Sequence, residues 1–337
     1  MKTKQTSKKR ILTGDRPTGP LHLGHFVGSL SQRVELQDEY ETFILIADVQ
    51  ALTDNYQNPE KVRNNVNQLM LDYLSVGIDP EKATIYIQSM VGETAELTMF
   101  FANLVSVQRL AHNPTVKSEI KEKGMDESTP LGFYMYPVSQ AADISIVRSH
   151  LIPVGEDQIP MVEQNSEIVK KFNKMYGEVF PIPKAKVTDY GRLVGLDGNS
   201  KMSKSLNNSI YLQDDADTVN KKVKSMYTDP TRIKATDPGK VEGNPVFIYH
   251  DAFNSNTEEV KELKERYKKG KVGDVEVKDK LAAAINEFLA PIHERRAKYL
   301  AMGDGEIREM LMAGTEKTRK VAAETMRMVR EAMKIDY

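Results

Sequence analysis

The first half of the chain is organised by short apolar runs that alternate with helical patterns. "RILTG" (10–14), "TFILIAD" (42–48), "ATIYIQS" (83–89) and "HLIPVG" (150–155) read as short buried strands. Helical patterns separate them. Phe26, Leu30, Val34 and Leu36 fit one helix face, opening after Gly24, and Val62, Val66, Leu69, Met70 and Leu74 mark a helix before "VGIDP". Residues 93–111, "ETAELTMFFANLVSVQRLA", read as one long apolar helix. The polar stretch 112–130 reads as a loop, and "NSEIVKKFNKMYG" as a helix that stops at Gly177. Strands spaced by helices imply a parallel sheet covered on both faces.

After about residue 206 the pattern changes. Amphipathic helices dominate, at 214–226, in "KDKLAAAINEFLAPIHERRAKYL" and in "TEKTRKVAAETMRMVREAMK", and "SIYL" (209–212) is the last expected strand. The expected architecture is therefore α/β. A Rossmann-like parallel-sheet domain spans residues 1–206, and an all-helical domain spans 207–337.

Composition excludes several classes of function. With no cysteine among 337 residues, disulfides, iron–sulfur clusters and thiolate zinc sites are impossible. A net charge of −1 gives no global attraction to nucleic acid, so such a partner needs local basic patches. No apolar run approaches the ~18 residues of a membrane span. The basic start "MKTKQTSKKR" lacks a following apolar signal-peptide core, so a solvated tail and a cytoplasmic location are expected.

The segment "GDRPTGPLHLGHFVGSL" (14–30) sets His22 and His25 three apart, just after a strand. A metal site needs further ligands that no nearby pattern supplies. Two ordinary polar residues in a strand-to-helix turn are a second reading. The third is phosphate binding. A strand, a Gly/Pro-rich turn and a helix bring backbone N–H groups to the carboxyl edge of a parallel sheet, and Gly24 permits close approach. Neither a G-x-x-x-x-G-K-[ST] nor a G-x-G-x-x-G loop is present.

A second segment, "GLDGNSKMSKSLNNS" (195–209), has little to bury and carries Lys201 and Lys204. Alone it reads as a solvated loop. Two such lysines can also stabilise the charge of a departing pyrophosphate. "HLGH" followed by "KMSKS" resembles the signature pair of class I aminoacyl-tRNA synthetases. That resemblance makes His22 and His25 ATP-phosphate contacts.

The spacing of the two signatures leaves no room for an inserted editing domain and suits the subclass for tyrosine and tryptophan. "GDRPTG", "ADVQALT" (47–53), "YMYPVSQAADISIVRSHLIPVGEDQIPMVEQNSEIVKKFN" (134–173) and the C-terminal helix resemble the tryptophanyl-tRNA synthetase family, of a divergent bacterial type.

The resemblance implies roles for individual residues. Asp143 accepts the indole N–H, while Tyr136, Gln140 and Gln158 line the amino-acid pocket and Ile144, Ile152 and Val154 pack on the ring. Gly155, Glu156 and Asp157 meet the ribose or the ammonium group. Arg16, Pro17, Thr18, Gly24 and His25 approach ATP, Leu193 meets adenine, and Lys201, Met202, Ser203, Lys204 and Ser205 form the mobile loop. On spacing alone, Asp143 could instead face solvent, Tyr136 could simply pack, and Asp157 could cap a helix.

Two features depart towards tyrosyl enzymes: the histidines themselves, and Gln140 beside the aspartate. Ile11 and Leu12 on the first strand, and "VGEDQ", favour tryptophan. The resemblance further implies L-tryptophan, ATP with Mg²⁺ on its phosphates, tRNA(Trp) read by the helical domain, and a homodimer. Rival readings are a tyrosyl enzyme, a nucleotidylyltransferase, and a non-catalytic tRNA-binding relative.

Overall fold

The computed structural model describes residues 8–122, 124, 129–187, 193–198, 202, 206, 208–230, 232, 234 and 236–337, without the side chains of Glu122 and Asp157. Five parallel strands form one sheet: β1 (Arg10–Asp15), β2 (Glu41–Ile46), β3 (Ala83–Ile87), β4 (Leu151–Val154) and β5 (Lys184–Val187). Their order is β3-β2-β1-β4-β5. The chain walks outward from β1 to β3, then returns to lay β4 against the other side of β1. Connections leaving β1 and β4 thus diverge, the topological position at which open parallel sheets bind ligands.

Alternation along the strands divides the core. Leu12, Phe43, Leu45 and Tyr86 face one side of the sheet. Ile44, Ile46 and Ile85 face the other. The first face is covered by the helices Glu93–Ala102, Leu131–Ile146 and Ile159–Tyr176, with Phe101, Phe172 and Phe180 meeting edge-on at 5.0–6.1 Å between ring centres. The second is covered by Pro59–Val76 and Asp274–Met302, through Leu69, Tyr73, Leu281 and Leu289.

The final helix, Asp304–Met333, closes the outer edge at β3. Thr315 Oγ1 accepts the Ile87 N–H at 3.2 Å. A Cβ at Gly314 would lie 2.0 Å from the Ile85 carbonyl oxygen, so only glycine allows this approach. The helix thus covers an edge strand and satisfies one of its outward N–H groups.

The four strands expected in the first half of the chain are present. β5, "KAKV", was not expected; half of its residues are lysines and it is at most partly buried, so it carries no apolar run. Four other expectations are corrected. Residues 93–111 are two helices, Glu93–Ala102 and Val107–Ala111; Ser106 caps the second by accepting the Arg109 N–H at 3.2 Å. The stretch 112–130 is not all loop, because Pro114–Glu122 is helical and buries Val116 against Phe133, Tyr136 and Met161. "SIYL" is not a strand of the sheet. It runs antiparallel beside residues 21–23, with Leu23 N–H to Ile210 O and Leu212 N–H to Leu21 O, both 2.9 Å. The helix expected at 214–226 is Ala216–Lys224, begun by Asp215 accepting the Thr218 N–H.

Candidate active site

The site is built where β1 and β4 diverge. β1 ends at Asp15, the chain turns through Arg16–Gly19, and the helix starts at Leu23, two residues earlier than the sequence suggested. Arg16 O accepts the Thr18 N–H at 2.8 Å, and Arg16 pairs with Asp54 at 3.3 Å. Pro17 is buried and Thr18 half-buried. Asp72, fully buried, accepts the Leu21 N–H at 2.8 Å and so holds the chain just before the histidines.

His22 caps the helix. Its backbone N–H donates to His25 Nδ1 at 3.2 Å, and the two rings sit 3.8 Å apart. With Nδ1 accepting, a neutral His25 carries its proton on Nε2 and presents a donor there. Helical backbone continues to Glu39 through a π-helical turn at Phe26–Leu30.

Gly24 is where the two signature segments meet. A Cβ there would come within 2.8 Å of Met202 Sδ and 3.0 Å of the His22 ring. Met202 is buried with Leu193, Leu196 and Ile210. The stem of its loop is fastened by Leu196 N–H to Asn208 O at 2.9 Å and by Tyr249 OH to Val194 O at 2.9 Å. Lys201, Ser203, Lys204 and Ser205 lie outside the described residues.

Behind the turn sits a buried ionic cluster that the sequence did not reveal. Asp15 accepts from Arg33 at 2.6 Å and from Tyr73 OH at 2.8 Å, and Arg33 is only 3% exposed. Burial opposes ionisation of Asp15. The Arg33 charge, then that of His25, and the two hydrogen bonds outweigh it and hold the carboxyl at about 2.

The amino-acid side of the site is formed by the helix Leu131–Ile146. Tyr136, Gln140 and Asp143 share one face by their spacing. Asp143 is 1% exposed. Its Oδ2 accepts from Gln88 Nε2 at 2.7 Å, and its Oδ1 has no partner among the described residues. Gln88 Oε1 accepts the Gln50 N–H at 3.0 Å. Burial pushes the Asp143 carboxyl up to about 8, with the Gln88 hydrogen bond resisting and the Asp48 charge adding to the rise.

Tyr136 is buried beside Glu119 of the unexpected helix. Burial, then that carboxylate, raises its phenol, while Arg16 acts in the opposite sense. Gln140 is half-buried. Ile144 and Ile152 belong to the apolar cluster of Leu12 and Tyr86, with Val154 packed against it. After β4, Gly155 leads into a 3-10 turn, Glu156–Gln158, and then into Ile159–Tyr176, with Glu156 exposed and Gln158 half-buried.

A buried carboxylate with one open oxygen, tied to Gln88 just past β3, and a histidine-bearing helix start, just past β1, thus both stand at the carboxyl ends of the strands. Comparison with known proteins identifies the family. The family described as tRNA synthetases class I (W and Y) matches residues 4–290. A tryptophan–tRNA ligase of Clostridium longisporum is 54% identical over 98% of each chain. The chain belongs to the tryptophanyl-tRNA synthetase family. A second relative, from Streptococcus pneumoniae, is 51% identical over 98% of this chain and 99% of its own. Among solved structures, the tryptophanyl-tRNA synthetase of Campylobacter jejuni, crystallised with ADP and tryptophan, superposes with a TM-score of 0.84 at 33% identity, covering 96% and 99% of the two chains. A tyrosyl-tRNA synthetase of Archaeoglobus fulgidus shares the fold, at 22% identity and a TM-score of 0.67.

Within this family's frame, Gln88, Asp15, Arg33, Tyr73 and Asp72 are the polar residues that sequence reading missed. Gln88 closes the strand signal "ATIYIQS", and a glutamine after an apolar run was its only trace.

Proposed function

We propose that the chain activates L-tryptophan with ATP and transfers it to tRNA(Trp). The observation that carries this reading is Asp143, a buried carboxylate with one unpartnered oxygen, in a chain 51–54% identical to tryptophan–tRNA ligases. An indole N–H satisfies that oxygen, and rejection of side chains without the donor follows from leaving it unpaired.

The tryptophan carboxylate attacks the α-phosphorus of ATP in line. The bond from the α-phosphorus to the bridging oxygen breaks, and pyrophosphate leaves. No general base is needed, because the attacking carboxylate is already ionised. Catalysis is positioning and charge stabilisation. His22 and His25 donate to the phosphates at the helix start, Gly24 lets them approach, and Arg16–Thr18 and Gly155–Asp157 flank the nucleotide. Leu193 meets the adenine, and Lys201 and Lys204 close over the pyrophosphate. Mg²⁺ is held by the phosphate oxygens and water; the imidazoles of His22 and His25 are poor donors for so hard a cation.

Residues 1–206 carry this chemistry, and 207–337 read the anticodon, by stacking unpaired bases. The enzyme works in the cytoplasm as a homodimer. No described helix is long and apolar enough to cross a membrane.

The test is ATP–pyrophosphate exchange with each of the twenty amino acids in turn. Exchange with tryptophan alone is expected. Exchange with tyrosine would reassign the pocket to Asp143 and Gln140 holding a phenol, and none with any amino acid in folded protein would refute activation. Lys204→Ala should slow single-turnover adenylation by ~10²–10³, as for one lost transition-state contact.

A further inference from the structure

Asp143 takes its hydrogen bond on the protein from a second side chain whose own orientation is fixed. Gln88 sits just past the carboxyl end of β3, in the short 3-10 turn Gln88–Met90. Its amide is held from both ends. The Gln50 N–H, in the first turn of the helix Asp48–Asn55, donates to Oε1 at 3.0 Å, and Nε2 donates to Asp143 Oδ2 at 2.7 Å. With the backbone donor fixed, the amide cannot flip without setting two donors against each other. Gln88 is itself 3% exposed, so water does not substitute for it.

The consequence reaches the ligand. Asp143 has two carboxylate oxygens, and Gln88 occupies one. The other is left as the acceptor for an incoming donor. Because the bond to Gln88 favours the ionised carboxyl, it also keeps an acceptor available rather than an O–H. We infer that Gln88 is a positioning residue for tryptophan selection: through its bridge from Gln50 to Asp143 it fixes which carboxylate oxygen meets the indole N–H. The inference rests on the assignment of Asp143 as the indole acceptor.

The test pairs tryptophan with its benzothiophene analogue, in which sulfur replaces the ring N–H and the shape is nearly kept. ATP–pyrophosphate exchange is measured for the wild type, Gln88→Met and Asp143→Asn. For Gln88→Met, KM for tryptophan should rise roughly 10- to 100-fold, the range for a hydrogen bond to a charged group. KM for the analogue should change less than about threefold, and kcat should move little with either.

A merely structural role for Gln88 would raise both KM values together, and that result overturns the inference. If Asp143→Asn leaves the tryptophan-to-analogue preference intact, the acceptor assignment falls and the inference with it. A preference lost in Asp143→Asn but kept in Gln88→Met sinks the inference alone.

Should Gln88→Met fail to fold, Gln88→Glu serves. The carboxyl facing that position is Asp143, which in turn interacts with Asp48 and the buried Tyr86 hydroxyl. Near pH 6, the introduced carboxyl and that of Asp143 share a proton, the donor is restored, and most of the preference should survive. Near pH 9 the pair repels and the preference should collapse. A pH-independent preference would refute the role.

Discussion

Asp143→Asn should raise stability and weaken tryptophan binding, and the two effects should separate with pH. In the unfolded chain an aspartate releases its proton near pH 3.9. In the folded protein burial dominates: the carboxyl is pushed up to about 8, against the pull of Gln88 and with a further push from Asp48. Between roughly pH 4 and 8 the native state therefore binds a proton that the unfolded state has lost. Stability falls as pH rises through that window and is flat above it. One unit corresponds to 1.36 kcal/mol, so at pH 7 the cost is about 3 units, or on the order of 4 kcal/mol.

Asparagine is close in shape to the protonated acid. Its amide oxygen can face Gln88 Nε2, which puts its NH₂ where the neutral carboxyl has its O–H. The variant should thus match the wild type near pH 4 and exceed it increasingly towards pH 8. Thermal melts in buffers from pH 5 to 9 would show a melting temperature several degrees higher in the variant at the alkaline end.

Binding runs the other way. Only the ionised carboxyl offers an acceptor, so wild-type affinity for tryptophan should climb with pH up to about 8. In the variant, NH₂ meets N–H, and affinity should fall by ~10² or more. The chain contains no tryptophan, so the ligand's own indole fluorescence reports binding without background from the protein. Melting curves that shift in parallel across the range, or a variant that binds tryptophan normally, would refute the reasoning.

Other perturbations probe the rest of the site. Arg33→Met strands the Asp15 carboxylate and should cost about 3–5 kcal/mol, with much recovered by adding Asp15→Asn; strictly additive losses in denaturant melts would argue against the pair. Asp15, held at about 2, contributes stability that is complete above about pH 4 and lost as pH falls through 2, and Asp15→Asn should remove that acid-side slope. Gly24→Ala places a Cβ 2.8 Å from Met202 Sδ, and KM for ATP should rise severalfold while tryptophan affinity holds; an unchanged KM for ATP would mean that Met202 moves aside freely.

How much of this was legible depends on whether the signal was local. β1 to β4 announce themselves because each is a compact apolar run, and Gly77 and Gly177 end the helices Pro59–Val76 and Ile159–Tyr176 as expected. β5 has no such run. The helix Pro114–Glu122 was hidden because most of its positions are polar; it buries Val116 on Phe133 and Tyr136, partners some twenty residues on. Gly24 and Met202 lie in recognisable segments, yet their contact joins positions far apart in sequence. Asp143 stood out through its motif, but nothing in the sequence says that its Oδ2 is taken by Gln88. Buried polar pairs are specified by three-dimensional placement, and no periodicity records them.

The same reasoning explains why the C-terminal helices cannot be read as an appendage. Arg296, on the helix Asp274–Met302, donates to Asp72 Oδ1 at 2.7 Å, and the other oxygen of Asp72 accepts the Leu21 N–H that precedes the histidines. Arg296 also reaches Gln213 Oε1 at 3.2 Å, and His293 Nε2 lies 3.1 Å from Leu212 O, in the segment that runs beside Leu21 and His22. A displacement of that helix must therefore break charge-assisted bonds or carry both strands of the histidine turn with it. Arg296→Met would leave Asp72 buried with Leu21 and Gln68 as partners and its charge uncompensated. The nucleotide side should suffer first: KM for ATP should rise before the tryptophan side responds, because Asp143 and Gln88 sit on the opposite face of the sheet from Asp72 and share no partner with it.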